Sequence, residues 1–96
     1  MALRFHPWAR QELIDAVAYY DSISQKLADD FVAEVENAIT RIQNFPDAWP
    51  KFTANARRCR VNRFPYGVVY RASTDEILIV AVMHLHRKPD YWIDRI

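Results

Sequence analysis

The stretch RRCRVNRFPYGVVYR, residues 57–71, contains two runs of strand-forming residues joined by a short connection at residues 63–65. Valine, tyrosine and phenylalanine favour strands, and so short a connection is typical of antiparallel neighbours. We therefore predict strands over residues 57–62 and 66–72. A third run covers residues 77–86, and its segment ILIVAVMHL is apolar on both faces, which places it in the middle of a sheet.

Before this stretch, apolar residues recur with helical spacing in two segments. Residues 3–6 fit a short first strand, and Pro7 fits the first turn of the helix that follows. Ser24 is the predicted N-cap of a second, longer helix that ends at Pro46. Residues 47–56 have no period and are predicted to form a loop.

The order strand, helix, helix and three strands predicts an α+β fold within one domain, residues 1–96. Because the connection between the helices is short, they should form an antiparallel hairpin. The hairpin should pack on one face of a small, mostly antiparallel sheet. The tail after residue 87 should close the fold with a short turn or strand.

Composition sets the expected surroundings of the chain. The one cysteine, Cys59, excludes an internal disulfide, which favours a reducing cytoplasm. No apolar run approaches the roughly 20 residues that span a bilayer, and the first ten residues lack the apolar core of a signal peptide, so no membrane partner is expected. Cys59 is interpreted as a small strand residue, with a reactive thiol beside Arg58 and Arg60 as the alternative.

The net charge of +1 hides a strong asymmetry along the chain. Residues 11–48 are rich in acids, whereas residues 51–71 contain no carboxylate. The basic segment carries six cations: Lys51, Arg57, Arg58, Arg60, Arg63 and Arg71. Two acids of the first helix, Glu12 and Asp15, are predicted to be solvated and remote from the basic residues.

Strand alternation predicts where these cations lie. Arg58 and Arg60 share one side of their strand, and Cys59 shares the other with apolar neighbours. The helices should cover the apolar side, so the arginines should lie on the open face. We expect His84 to join them at one end of that face. The predicted anion- or target-binding residues are Arg58, Arg60, Arg63, Arg71, His86 and Arg87.

Four interpretations of this predicted patch stay open. It is a solvated face, a phosphate-binding surface for nucleic acid, a nuclease site, or a docking surface for an acidic protein segment. In a nuclease, His84 or His86 would transfer a proton, while Arg60 and Arg87 would stabilise the phosphate charge without a metal. No acid or cysteine near the two histidines completes a metal site, so neither a metal nor another cofactor is expected.

The residues also resemble a known family. The motif AxxEL (Ala9, Glu12, Leu13), the Tyr19–Tyr20 pair, FPYGVVY at residues 64–70 and HLHRKPDYW at residues 84–92 resemble the RelE/ParE superfamily of toxins from bacterial type II toxin–antitoxin modules. The resemblance implies a growth-inhibiting toxin with a role in plasmid stabilisation, a basic sheet face as its working surface, and a cognate antitoxin that neutralises it.

The two branches of this superfamily imply different targets. RelE-type toxins cut mRNA on the ribosome; carried over, their pattern places cations at Arg58, Arg60 and Arg87, and a stacking or acid residue at Tyr91. The catalytic candidates under this alternative are Arg60, His84, Arg87 and Tyr91. RelE-type nucleases carry an arginine where this chain has Gly67, for which Arg63 or Arg71 would have to substitute.

ParE-type toxins inhibit DNA gyrase and are not known as enzymes. The FPY turn and the spacing from His84 to Arg87 resemble this branch more closely, so gyrase inhibition is the favoured function. A ribosome-dependent mRNA endoribonuclease is the first alternative, and a non-toxic basic binding module is the second.

Overall fold

The computed structural model describes residues 2–88 and 90–96. The elements follow the order β1 (Ala2–Phe5), α1 (Pro7–Asp21), α2 (Gln25–Asn44), β2 (Lys51–Thr53), β3 (Ala56–Arg60), β4 (Tyr66–Ala72) and β5 (Glu76–His84), and the chain closes with a 3₁₀ turn (Ile93–Arg95). Five strands form one sheet in the order β1-β5-β4-β3-β2. The α+β class, the helix pair and the central position of the third predicted strand are confirmed.

The helices begin where the sequence predicts. The Ser24 side chain accepts a hydrogen bond from the backbone N–H of Leu27, which satisfies one of the unpaired donors at the start of α2. Pro7 opens α1, and His6 caps it through a hydrogen bond from the N–H of Trp8. Helix α2 buries one apolar stripe, which includes Phe31, Val35 and Ile42. The caps set where the two helices begin, and the buried stripe of α2 packs the hairpin against the sheet.

The sheet is mixed, because β1 runs parallel to β5 while all other neighbours are antiparallel. The prediction of a loop over residues 47–56 is wrong in part, since residues 51–53 form β2. The two-residue turn between β2 and β3 has positive φ at Ala54 and Asn55, which is the backbone of a hairpin turn that matches strand twist. Strand β2 was missed because three residues are too few to display the alternation of apolar and polar side chains that identifies a strand.

The larger core lies between the helices and the sheet. Phe31 contacts the rings of Tyr20, Phe64 and Tyr66 at centroid distances of 4.9, 5.2 and 5.1 Å. Tyr70 lies in the same core and donates a 2.6 Å hydrogen bond to the carbonyl of Pro46. Its burial raises the pKa of Tyr70 to about 12. The core therefore fixes the loop after α2 as well as the hairpin.

A second core lies on the opposite face of the sheet. Its centre is Trp92, which is 0% exposed and packs with Val69, Val80 and Met83. The C-terminal segment, residues 90–96, thus lies across the face that was expected to be open. The expectation of an open sheet face is wrong. Trp92 covers the centre of this face, and exposed residues such as Arg58 and Arg60 lie at its border.

A bulge in β5 decides which side chains reach each face. Tyr70 pairs with Ile79, whereas the preceding residue, Val69, pairs with Ala81. Val80 is the extra residue, and it shares the Trp92 core with its neighbour Ala81. One added residue reverses the side-chain alternation of everything that follows it on the strand.

Candidate functional site

Arg58 and Arg60 lie on the Trp92 side of the sheet, as strand alternation predicts. Arg58 is adjacent to Val69 of β4, and Arg60 is adjacent to Gly67. Both are exposed, whereas Cys59 between them is buried in the helix-side core. Burial raises the pKa of the Cys59 thiol, which supports its interpretation as a packing residue and not a reactive one.

The aromatic ring of Phe52 lies beside this pair. Its centroid is 5.9 Å from the Arg58 guanidinium carbon and 5.6 Å from the Trp92 ring. Phe52 is 47% exposed, a high value for a phenylalanine in contact with a core. The corner formed by Phe52, Arg58 and Arg60 is called the arginine corner below.

Gly67 explains how Arg58 is held. A Cβ at position 67 would lie 2.9 Å from Cδ and 3.0 Å from Cγ of Arg58, and 3.3 Å from Cδ2 of Leu85. The absence of a side chain therefore makes room for the Arg58 stem over β4. An arginine at position 67, as in the nuclease pattern, would collide with that stem. In this chain the side chain of Arg58 occupies the space above Gly67 instead.

We expect Gly67→Ala to lower the free energy of unfolding by about 1 kcal/mol. Overpacking against the Arg58 stem costs about 1–3 kcal/mol, and the reduced freedom of the unfolded chain offsets about 0.4–1 kcal/mol of it. Gly67 does not have a positive φ, so its backbone accepts alanine. In an Arg58→Ala background the same substitution should be neutral or stabilising. A urea-denaturation double-mutant cycle measures the difference, and purely additive effects would contradict the contact.

His84 does not join these arginines. Because of the bulge it pairs with Tyr66 on the helix side, where the two ring centroids are 5.2 Å apart. It lines a cavity of about 190 Å³ together with Tyr19 and Asp15 of α1. His84 also shares this cavity with Arg87, so the prediction that the imidazoles and the arginines converge at one end of one face is wrong for Arg58 and Arg60 but not for Arg87.

The other predicted anion-binding residues are also dispersed. Arg63 has a φ of 70° and lies 3.5 Å from a carboxylate oxygen of Asp30 on α2. His86 donates its backbone N–H to Nδ1 of His84 over 3.1 Å, in the turn after β5. Arg71 is half-buried at the far end of β4, beside Leu78. Their roles in binding remain predictions, but they do not form one patch with the arginine corner.

Arg87 and Tyr91 belong to a separate cluster beside α1. The guanidinium carbon of Arg87 lies 3.6 Å from the centroid of the Tyr91 ring, a close cation–π contact. The Tyr91 hydroxyl donates a 2.7 Å hydrogen bond to Glu12. Burial, followed by the hydrogen bond to the Glu12 carboxylate, raises the pKa of Tyr91, so its hydroxyl is a poor proton donor to a leaving group.

Glu12 is the centre of that cluster, and the prediction that it is solvated is wrong. Its carboxylate accepts hydrogen bonds from the backbone N–H of Val82 at 3.1 Å and from Arg95 at 2.8 and 3.1 Å. Arg95 also donates to the carbonyl of Val80 at 3.1 Å. Past the end of β1, Glu12 and Arg95 therefore form hydrogen bonds with the backbone of Val82 and Val80 on the outer edge of β5. These backbone groups are then not free to pair with another strand.

Within residues 2–88 and 90–96, no group of three histidine, cysteine, aspartate or glutamate side chains is placed to bind a metal ion. In the same ranges, no helix combines the length and apolarity needed to cross a membrane.

A protein-family model described as the ParE toxin of the type II toxin–antitoxin system parDE matches residues 3–89. The chain belongs to the ParE toxin family. Toxin ParE2 of Mycobacterium tuberculosis, found in two strains, is 29% identical over 89 residues, which cover 92% of this chain and 85% of the relative. The predicted membership of the RelE/ParE superfamily is confirmed.

The fold of a ParE toxin is also seen in a solved structure. A chain of the structure titled "Chromosomal ParDE TA system from P. aeruginosa" superposes with a TM-score of 0.77 at 19% identity, covering 90% of this chain and 97% of that chain. The predicted helix hairpin on a mostly antiparallel sheet is therefore confirmed as a fold that a solved structure also has.

Two features of this ParE-family chain lie beyond simple pattern reading. The role of Glu12 depends on contacts with residues 70 to 83 positions away along the chain. The AxxEL motif contains Glu12 and was the one signal that singled it out. The position of His84 depends on the bulge at Val80. The sequence of β5 does not indicate this bulge, because its residues are apolar on both faces and show no break in alternation.

Proposed function

We propose that this protein is the toxin of a type II toxin–antitoxin module, that it inhibits DNA gyrase, and that a cognate antitoxin neutralises it. The match to the ParE toxin family over residues 3–89 carries the proposal. The FPY turn at residues 64–66 and the segment from His84 to Arg87, which favour the ParE branch, both lie inside the matched range.

The geometry argues against the nuclease alternative. Metal-independent RNA cleavage needs a base, a proton donor and cations around one phosphate. Arg60 lies on the Trp92 side of β3, whereas His84 lies on the helix side of β5, two strand spacings or roughly 10 Å away. Tyr91 is hydrogen-bonded to Glu12. His84 and Arg87 do line one cavity, but Arg60 lies on the other side of the sheet. Because the Tyr91 hydroxyl is also engaged, the four candidate catalytic groups do not surround one phosphate.

An antitoxin would find exposed apolar side chains on the helix hairpin. Trp8, Ile14, Tyr19 and Ile23 are all more than half exposed, with values of 62, 52, 60 and 59%. An amphipathic partner helix is the recognition mode that such a surface fits. We propose that the antitoxin covers this hairpin surface and brings its own carboxylates to the exposed arginines.

The proposed target is tested with purified toxin, gyrase, relaxed plasmid and ATP. We expect supercoiling to fail at micromolar toxin, because the toxin binds the enzyme, and to return when the cognate antitoxin is added first. Assays with ribosomes and mRNA serve as the comparison. Full supercoiling at micromolar toxin, together with new mRNA 5′ ends at ribosomal A-site positions, would instead establish the endoribonuclease.

A further inference from the structure

The arginines of this chain differ sharply in their partners. Among the described residues, five arginines form ion pairs with carboxylates: Arg4, Arg57, Arg63, Arg87 and Arg95. Arg41 donates to the carbonyl of Arg60. Within the described ranges, the side chains of Arg10, Arg58, Arg60 and Arg71 have no hydrogen-bond or ion-pair partner, and the guanidinium of Arg58 lies beside the ring of Phe52. Three of these four lie on the Trp92 side of the sheet, and two of them form the arginine corner.

We propose that the arginine corner binds the phosphate backbone of DNA. Arg58 and Arg60 are two residues apart on one strand, so their stems leave the sheet on the same side about 6.6 Å apart. Guanidinium groups match phosphate oxygens in shape and charge. No carboxylate occurs between Lys51 and Arg71 to compete for them.

The corner is prepared for a ligand by its packing. The Arg58 stem lies over Gly67, and its guanidinium lies beside the half-exposed ring of Phe52. A side chain that is already held loses less conformational entropy when it binds. Phe52 in turn contacts Trp92 of the buried C-terminal segment.

DNA fits this corner better than an acidic protein segment does. A protein partner needs an apolar centre within a polar rim. On this face of the sheet the apolar centre is already filled by Trp92, which leaves cations at the border and one exposed aromatic ring. A sequence-independent contact with phosphates requires nothing more. The choice of DNA rests on the proposed function, since gyrase holds DNA when it acts, but binding itself is measured without gyrase.

The test is fluorescence anisotropy of labelled short duplex DNA with the full-length protein at several salt concentrations. Two neutralised phosphates predict a slope of about −1.8 for log K against log salt, so the affinity of the wild type should fall about tenfold between about 50 and about 200 mM salt. Arg58→Gln and Arg60→Gln should each make the slope about 0.9 shallower.

The matched control is Arg10→Gln, which removes one exposed arginine on α1 by the same chemical change. It should leave the slope unaltered. A slope that changes equally in Arg10→Gln and Arg58→Gln would overturn the corner as a site, because only overall charge would then matter. Absence of measurable binding at low salt would overturn it as well, with circular dichroism used to show that every variant is folded.

Two further arms separate this inference from its alternatives and from the proposed function. Tighter binding of RNA of the same sequence, or equal binding of a glutamate-rich peptide, with the same dependence on Arg58 and Arg60 would overturn the assignment to DNA. A wild type that binds DNA through the corner but leaves supercoiling intact would reject gyrase inhibition and uphold the site. An Arg58→Gln, Arg60→Gln double variant that shows unaltered DNA binding would reject the site, whatever the gyrase assay gives.

Discussion

Replacing Glu12 with glutamine is expected to lower the free energy of unfolding by roughly 2–4 kcal/mol, because breaking a fully buried ion pair costs about 3–5 kcal/mol and this pair is slightly exposed. Glu12 and Arg95 each have side chains only 13% exposed, and Arg95 approaches both carboxylate oxygens. The substitution leaves the Arg95 charge without its counter-ion. It also replaces one of two oxygens that both accept from Arg95 with an amide donor.

Urea denaturation followed by circular dichroism measures this effect. Asp15→Asn is the matched control, because it makes the same change one turn later on an exposed residue of α1. We expect the control to stay within about 0.5 kcal/mol of the wild type. A second substitution, Arg95→Met, should recover part of the loss in the Glu12→Gln background, since it removes the unpaired charge. Equal destabilisation by Glu12→Gln and Asp15→Asn would contradict the cluster.

The main elements were predictable because local chemistry specifies them. Ser24 and Pro46 bracket α2, and the apolar stripe between them has a helical period that the structure buries. Alternation along β3 correctly separated Arg58 and Arg60 from Cys59. Such features depend on neighbours within a few residues, and the sequence displays those neighbours directly.

The features that escaped prediction depend on distant parts of the chain. Val80 forms a bulge only because β4 imposes its register, and that single extra residue moves His84 to the helix side. Glu12 is polar and lies on a surface helix, so it reads as solvated until the C-terminal segment folds over it. The same segment covers the sheet face that alternation alone leaves open. Long-range pairing, not residue type, decides these positions.

The covered sheet face leads to the second large prediction. Trp92→Ala is expected to lower the free energy of unfolding by about 3–5 kcal/mol, the range for removing a large aromatic side chain from a core. Trp92 is 0% exposed and is the largest side chain of the core that contains Val69, Val80 and Met83. Without it the C-terminal segment keeps only the partly buried Tyr91 and Ile96 as apolar contacts with this core.

Trp92→Phe separates the packing of the ring from its polar group. The indole N–H of Trp92 is buried and has no hydrogen-bond partner among residues 2–88 and 90–96, and leaving such a donor unsatisfied costs about 1–3 kcal/mol. Phenylalanine removes this unfavourable group while it keeps part of the ring contact. We therefore expect Trp92→Phe to lose less than about 1.5 kcal/mol, because the two effects oppose each other.

Trp8→Ala is the control for the loss of a tryptophan, since Trp8 is 62% exposed on α1 and should change stability by no more than about 0.5 kcal/mol. If Trp92→Ala proved as mild as Trp8→Ala in urea denaturation, the C-terminal segment would not be anchored on the sheet. The ring of Phe52, 5.6 Å from that of Trp92, would then lack its support beside Arg58. Stability of the tail and DNA binding at the arginine corner should therefore fall together in Trp92→Ala, whereas Trp8→Ala should alter neither.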